Sequence, residues 1–159
     1  MDGGPTLPPE YQTAGLVSWT TRTNAEYQRF AGTARYTVEF EKPGGSADDW
    51  MLDLGRVCES ARVRLNGRTI GALWCPPFEI SVGAFLRPGT NRLEVEVTNL
   101  AANRVRDLDR RKVGWKNFYD INVVGRDYHP LDASNWPLLD SGLLGPVMLK
   151  PVNFLSLPE

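Results

Sequence analysis

Period-two alternation of apolar and polar side chains is the feature that most narrows what this chain can fold into. Phe30, Ala34, Tyr36, Val38 and Phe40 share one face of a stretch whose other face carries Thr33, Arg35, Thr37 and Glu39. Trp50, Leu52 and Leu54 alternate with Met51 and Asp53, and Leu93, Val95 and Val97 with Arg92, Glu94 and Glu96. Val147 and Leu149 mark a further strand near the end. One apolar and one polar side per strand is what an antiparallel sheet with one solvated face requires. Fifteen Gly and twelve Pro among 159 residues cut the chain into short pieces. No stretch between these breakers reads as a long amphipathic helix. The expectation is an all-β protein of many short strands joined by turns.

The sharpest local signal is Asn66-Gly67, the dipeptide that suits a type I′ turn because both positions need positive φ. It joins Ala61–Leu65 to Arg68–Trp74. A two-residue loop would set Leu65 opposite Arg68, Val63 opposite Ile70 and Ala61 opposite Ala72, with the apolar residues on one face. Trp74 and Trp50 then fall on the inner face. Continued outward, this register places Cys58 opposite Cys75 at a non-hydrogen-bonded pair, where Cα atoms come within about 4.5 Å. Either they form a cross-strand disulfide, which would imply a secreted or periplasmic protein, or a bulge at Gly71 spoils the register and leaves two free thiols. Pro43-Gly44-Gly45, Pro76-Pro77 and Arg87-Pro88-Gly89-Thr90 supply the remaining turns.

Eighteen Lys and Arg against nineteen Asp and Glu give a formal charge of −1. A nucleic-acid binder would carry a strong basic excess. With 42% hydrophobic and 23% charged residues the chain is globular, and its apolar runs are too short to span a membrane. There is one His, no CxxC, no phosphate-binding glycine loop and no GxSxG elbow, so metal, redox, nucleotide and serine-hydrolase readings lack their residues. Met1 leads straight into turn residues without a basic and apolar leader, which reads as a domain cut from a longer chain. Residues 1–17 are expected to be a lead-in, 18–152 one β-domain, and 153–159 a tail.

From Leu100 to Leu143 the alternation fails. The stretch holds Trp115, Phe118, Tyr119, Tyr128 and Trp136, too aromatic a set for disorder. It reads as one long ordered loop, about 100–143, laid over that domain.

The ordered set Ser18-Trp19, Phe30-Ala-Gly-Thr-Ala-Arg-Tyr36, Leu52-Asp-Leu-Gly55, Val63-Arg-Leu-Asn-Gly67, Gly71-Ala-Leu-Trp74, Pro76-Pro-Phe78, Gly89-Thr-Asn91, Val95-Glu-Val-Thr-Asn99, Asn103-Arg104 and Ser141-Gly-Leu-Leu-Gly-Pro146 resembles the galactose-binding-like β-sandwich of family 2 glycoside hydrolases. The likeness is nearest to the carboxy-terminal sandwich of family 106 α-L-rhamnosidases. It runs from about Ser18 to Leu149. It implies an antiparallel jelly-roll of about eight strands. It also implies an ancillary, non-catalytic role, with the bond-cutting carboxylates in a separate barrel of the same parent protein. Cys58 and Cys75 lie outside the family pattern, and the excursion after Asn103-Arg104 matches it only in character. Related sandwiches often hold a structural calcium, but no Asp/Asn-rich loop with calcium-site spacing is present.

Glycoside hydrolysis needs two carboxylates across a sugar cleft. Asp107 and Asp109, and Asp127, Asp132 and Asp140, are neighbours of the kind that nineteen acids produce by chance, and they read first as loop acids and turn caps. Asp53 reads as a strand-end acid on the outer face. His129, followed by Pro130, has no partner nucleophile and reads as structural or surface. Sugar binding asks instead for an aromatic face under the apolar side of a pyranose and planar polar groups at its hydroxyls. Trp115, Phe118, Tyr119, Tyr128 and Trp136 supply rings, and Asn103, Arg104, Asp107, Asn117, Asp120 and Asn135 supply polar groups. Trp74 flanks the same rim. The alternative is that these rings anchor the loop. Arg104, Arg106, Arg110, Arg111, Lys112 and Lys116 against two acids make the segment locally basic. It could meet uronic acids in a glycan or an acidic neighbouring domain, or be a solvated face. The expected partners are a rhamnose- or uronic-acid-containing glycan and the parent's catalytic domain. The competing readings are an interdomain scaffold with no sugar site, and a domain lending a rim residue such as Arg104 to a catalytic pocket elsewhere.

Overall fold

The computed structural model describes residues 6–116 and 129–155. Among them, nine strands form three sheets with antiparallel ladders throughout. β1 (Thr33–Glu41), β7 (Thr90–Thr98), β4 (Ser60–Leu65) and β5 (Arg68–Leu73) make a four-stranded sheet in the order β1-β7-β4-β5. β6 (Glu79–Ser81), β2 (Asp49–Asp53) and β9 (Met148–Val152) make a second in the order β6-β2-β9, and β3 (Arg56–Cys58) pairs with β8 (Gly142–Gly145). The expected all-β sandwich is the fold. Its alternation predicted β1, β2 and β7 within a few residues; β3, β6 and β8, at three or four residues each, are too short to show a period.

Inward residues of the two layers meet in one core. Leu93, Val95 and Val97 of β7 and Ala61, Val63 and Leu65 of β4 pack against Trp50, Leu52, Leu54, Val57 and Leu143. Leu54, Val63 and Val97 have no exposed surface, and each such aliphatic stabilises the fold by about 1.5–3 kcal/mol. Close approach of the short β3–β8 ladder to the chain after β2 requires glycine. Gly55 has φ +61, and a Cβ there would lie 2.5 Å from the Gly145 carbonyl. A smaller cluster of Trp19, Tyr27 and Phe30 forms beyond the end of β1, with Tyr27 on a one-turn helix α1 (Ala25–Gln28). Phe30 therefore belongs to this cluster and not to the strand expected to include it.

The Asn66-Gly67 turn forms as expected, with φ 53 and 80. The register does not continue as expected. Leu65 faces Arg68, but Val63 faces Gly71 and Ala61 faces Leu73, because Ile70 is an extra residue in β5. A one-residue slip sends every later side chain to the other face. Trp74 is therefore 79% exposed, not inward, whereas Trp50 is buried as expected. Of the two alternatives for the cysteines, the bulge beside Gly71 with two free thiols is the one that forms, and the disulfide does not. Cys58 sits in β3 opposite Gly142, buried, while Cys75 lies exposed past the end of β5; both are free thiols. The segment expected to be one irregular loop from Leu100 to Leu143 contains a helix, α2 (Ala102–Arg110), and the start of β8.

Candidate functional site

The helix α2 escaped the sequence reading because it is short and mostly polar: Ala102, Val105 and Leu108 recur at helical spacing, but the other six of its nine residues are Asn, Arg and Asp. Asn103, 3% exposed, is its only buried residue. Its ends are unusual too. Ala101 offers no capping side chain, and a Schellman close at the other end uses Lys112 at φ +56 where glycine is usual. The Lys112 N–H donates to the Asp109 carbonyl and the Val113 N–H to the Leu108 carbonyl.

Asn103 clasps the helix to the chain entering β8. Its Nδ2 donates to the Leu139 carbonyl at 2.8 Å and to Ser141 Oγ at 3.3 Å, and its Oδ1 accepts the Leu139 N–H at 2.9 Å. Ser141 Oγ also accepts from Asn99 Nδ2, and the Ser141 N–H donates to Ser18 Oγ. Asn99 in turn bridges to the Phe30 carbonyl and the Gly32 N–H. Ser18, Asn99, Asn103 and Ser141, from four separate parts of the sequence, thus form a buried polar knot whose groups satisfy one another. Asn103 has nothing left for a sugar.

The other polar candidates are also engaged. Asp107 sits among three guanidiniums: Arg111 at 2.7 Å, Arg104 at 3.4 Å and Arg29, just after α1, at 4.0 Å. The first two are i,i+4 and i,i+3 pairs that stabilise a short helix. Burial lowers the Arg104 guanidinium below its ordinary value, against the pull of Asp107. Asp109 accepts from the Trp115 indole Nε1 at 2.6 Å and the Ala133 N–H at 2.8 Å, with Lys116 Nζ at 3.5 Å. Burial alone would raise its carboxyl; the donors and Lys116 outweigh it and hold it below the usual range. Trp115 is therefore anchored by its polar edge. Trp136 is 39% exposed, and its carbonyl accepts from Arg106 Nε at 2.7 Å. Asp140 pairs with Arg56, Asp132 accepts the Ser134 N–H, and Asp53 pairs with Lys150 on the outer face, as a strand-end acid should. His129 is exposed. Tyr119 and Tyr128, with Phe118, Asn117, Asp120 and Asp127, lie outside the described residues. Among the described residues no group of His, Cys, Asp and Glu is arranged to hold a metal ion.

Two concave surfaces result. The first, of about 610 Å³, lies between the end of α2 and the 130–135 segment, and Arg110, Lys112, Lys116, Asp132, Ser134 and Asn135 line it. The second, of about 290 Å³, is on the outer face of the four-stranded sheet beside Trp74. They share no lining residue, so Trp74 does not flank the same rim as the α2 segment.

No protein-family model matches the chain. A Formosa agariphila protein with a provisional β-glucuronidase name is 35% identical over 155 aligned residues, covering 85% of this chain and 13% of that protein. A rhamnosidase from a Novosphingobium species superposes on 90% of this chain with TM-score 0.72 and 29% identity, over 13% of its own length. This chain matches one small domain of much larger glycoside hydrolases. A β-glucuronidase from an uncultured Clostridium species overlaps 53% of the chain and 15% of its own length at 28% identity, TM-score 0.47. The chain thus spans about an eighth of the first two proteins it matches. The residues that carry the resemblance in the sequence now have a physical meaning here: the Ser18, Asn99, Asn103 and Ser141 signals build the clasp of the fold.

Proposed function

We propose that this chain is a non-catalytic, carbohydrate-associated domain of a rhamnosidase-type glycoside hydrolase, acting with a catalytic domain of the same parent protein on plant or microbial polysaccharide. The observation that carries this reading is the superposition on the rhamnosidase over nine-tenths of the chain. Support from the site is chemical. Asp107 and Asp109, two acids of α2, are each held by cations or N–H donors within the fold. Beside them the 610 Å³ cleft offers Arg110 and Lys112, with no ion pair to either among the described residues, and the amide and hydroxyl of Asn135 and Ser134. Asp109 and Asp132 line the same cleft, but Asp109 is taken by Lys116 and the Ala133 N–H and Asp132 by the Ser134 N–H, which leaves Arg110 and Lys112 for a uronate carboxylate and the amide for ring hydroxyls. Export follows from a polysaccharide substrate alone, since the free thiols remove the disulfide argument.

Calorimetry with a rhamnose- and uronate-containing oligosaccharide tests the reading. Weak binding that falls with salt, and falls again in Lys112→Ala and Arg110→Ala, is expected. A second reading, an interdomain brace with no sugar site, is favoured by one observation: Trp136, Leu138 and Leu139, apolar residues within one four-residue stretch, are left 37–39% exposed beside the clasp. Absence of binding to any acidic or neutral glycan would leave the brace.

A further inference from the structure

The bulge at Ile70 does more than shift a register: it turns Trp74 out over the polar face of the four-stranded sheet. That face is ordered in cross-strand rows. Thr33 of β1 lies opposite Thr98 of β7, and Thr98 opposite Ser60 of β4. The next row runs Arg35, Glu96, Arg62, Ala72 across β1, β7, β4 and β5. Small hydroxyl residues make the floor, Trp74 stands at the β5 side, and the Arg62–Glu96 row closes the flank, enclosing about 290 Å³. With strands spaced about 4.8 Å apart, the three hydroxyls span roughly 10 Å from β1 to β4.

We propose that this Trp74 cleft is a second saccharide site that takes a neutral pyranose, stacked on the indole with its hydroxyls over the Ser60–Thr98 row. Three features select that ligand. The indole is 79% exposed on a rigid sheet, a platform for an apolar C–H face. Donors and acceptors are mixed: Arg62 donates, Glu96 accepts, and Ser60 does either. The charges oppose one another, with Glu96 2.8 Å from Arg35 and 3.8 Å from Arg62. The half-buried flank carboxylate of Glu96 disfavours a uronate, which separates this cleft from the cationic one near α2. Only the choice of a deoxyhexose as first probe rests on the function proposed above.

The test titrates the intact chain with methyl α-L-rhamnopyranoside, methyl β-galactopyranoside and sodium glucuronate, following the Trp74 indole N–H by NMR. Saturable shifts with a neutral glycoside, and none with glucuronate, are expected. Trp74→Ala should weaken the neutral glycoside by about tenfold or more, Trp74→Phe by less, and Lys112→Ala not at all. The exposed position means that Trp74→Ala should melt at the wild-type temperature. Unchanged affinity in Trp74→Ala, no saturable shift with either neutral glycoside, or equal response to glucuronate overturns the proposal. So does an indole shift that follows protein concentration without sugar, because a second copy of the chain would then occupy the cleft. Loss of oligosaccharide binding in Lys112→Ala with the Trp74 response intact would separate the two sites.

Discussion

Replacing Asn103 with Ala should loosen the clasp between α2 and the strand that returns to the core. The side chain is 3% exposed and makes three hydrogen bonds, two through Nδ2 and one through Oδ1. At about 1 kcal/mol net for each, the loss is about 3 kcal/mol, more if water cannot reach the orphaned Leu139 N–H. For a domain of this size that is a fall of roughly 6–12 °C in melting temperature. The discriminating variant is Asn103→Asp, nearly the same shape. It keeps an acceptor for Leu139 N–H but loses both donors and sets a carboxylate against the Leu139 carbonyl, so it should be no better than Ala. Urea denaturation supplies the stability, and hydrogen exchange at the Leu139 amide supplies the location. A loss below about 1 kcal/mol, or an unchanged Leu139 exchange rate, would refute the assignment of Asn103 as the clasp.

Acid should release the other end of the same segment. Because the Asp109 carboxyl titrates below its unfolded value, its contribution is complete above about pH 4 and is lost as pH falls through the lower folded value. Trp115 fluorescence should report this loss, and Asp109→Asn should abolish the transition; a transition that persists in the variant points elsewhere. Thiol labelling gives a second check. In the native chain only Cys75 should react, and Cys58, whose burial also raises its thiol, only after unfolding. Two sluggish thiols, or a mass two hydrogens short, would contradict the bulged register.

The strands could be read in advance wherever burial alternates. In β7 the pattern of Leu93, Val95 and Val97 against Arg92, Glu94 and Glu96 is the pattern of burial itself. The candidate site was less legible, for two physical reasons. In α2 the helical period is carried only by Ala102, Val105 and Leu108 among six polar residues, too short and too charged a stretch to stand out, and its one buried residue is an asparagine. In β5 one extra residue, Ile70, inverted the faces of everything after it; Gly71 marks the place where a bulge could form, but the strand alone does not say whether it does. Of the residues singled out for sugar, Arg104 and Asp107 pair with each other and Asn103 is spent on Leu139 and Ser141, whereas Trp74, weighed between the rim and the inner face, stands in solvent.

Local periodicity and turn chemistry therefore determined, from the sequence alone, that this chain is built of short antiparallel strands with a tight turn at Asn66-Gly67; the sandwich was what the resemblance implied. Those signals are local because side-chain alternation and positive φ are properties of neighbouring residues. Tertiary structure alone decided which polar groups remain free, because hydrogen-bond saturation depends on segments as far apart as Ser18 and Ser141 meeting in one place. It also decided which face Trp74 joins, because a sheet's register is a relation between two strands and is not written in either one.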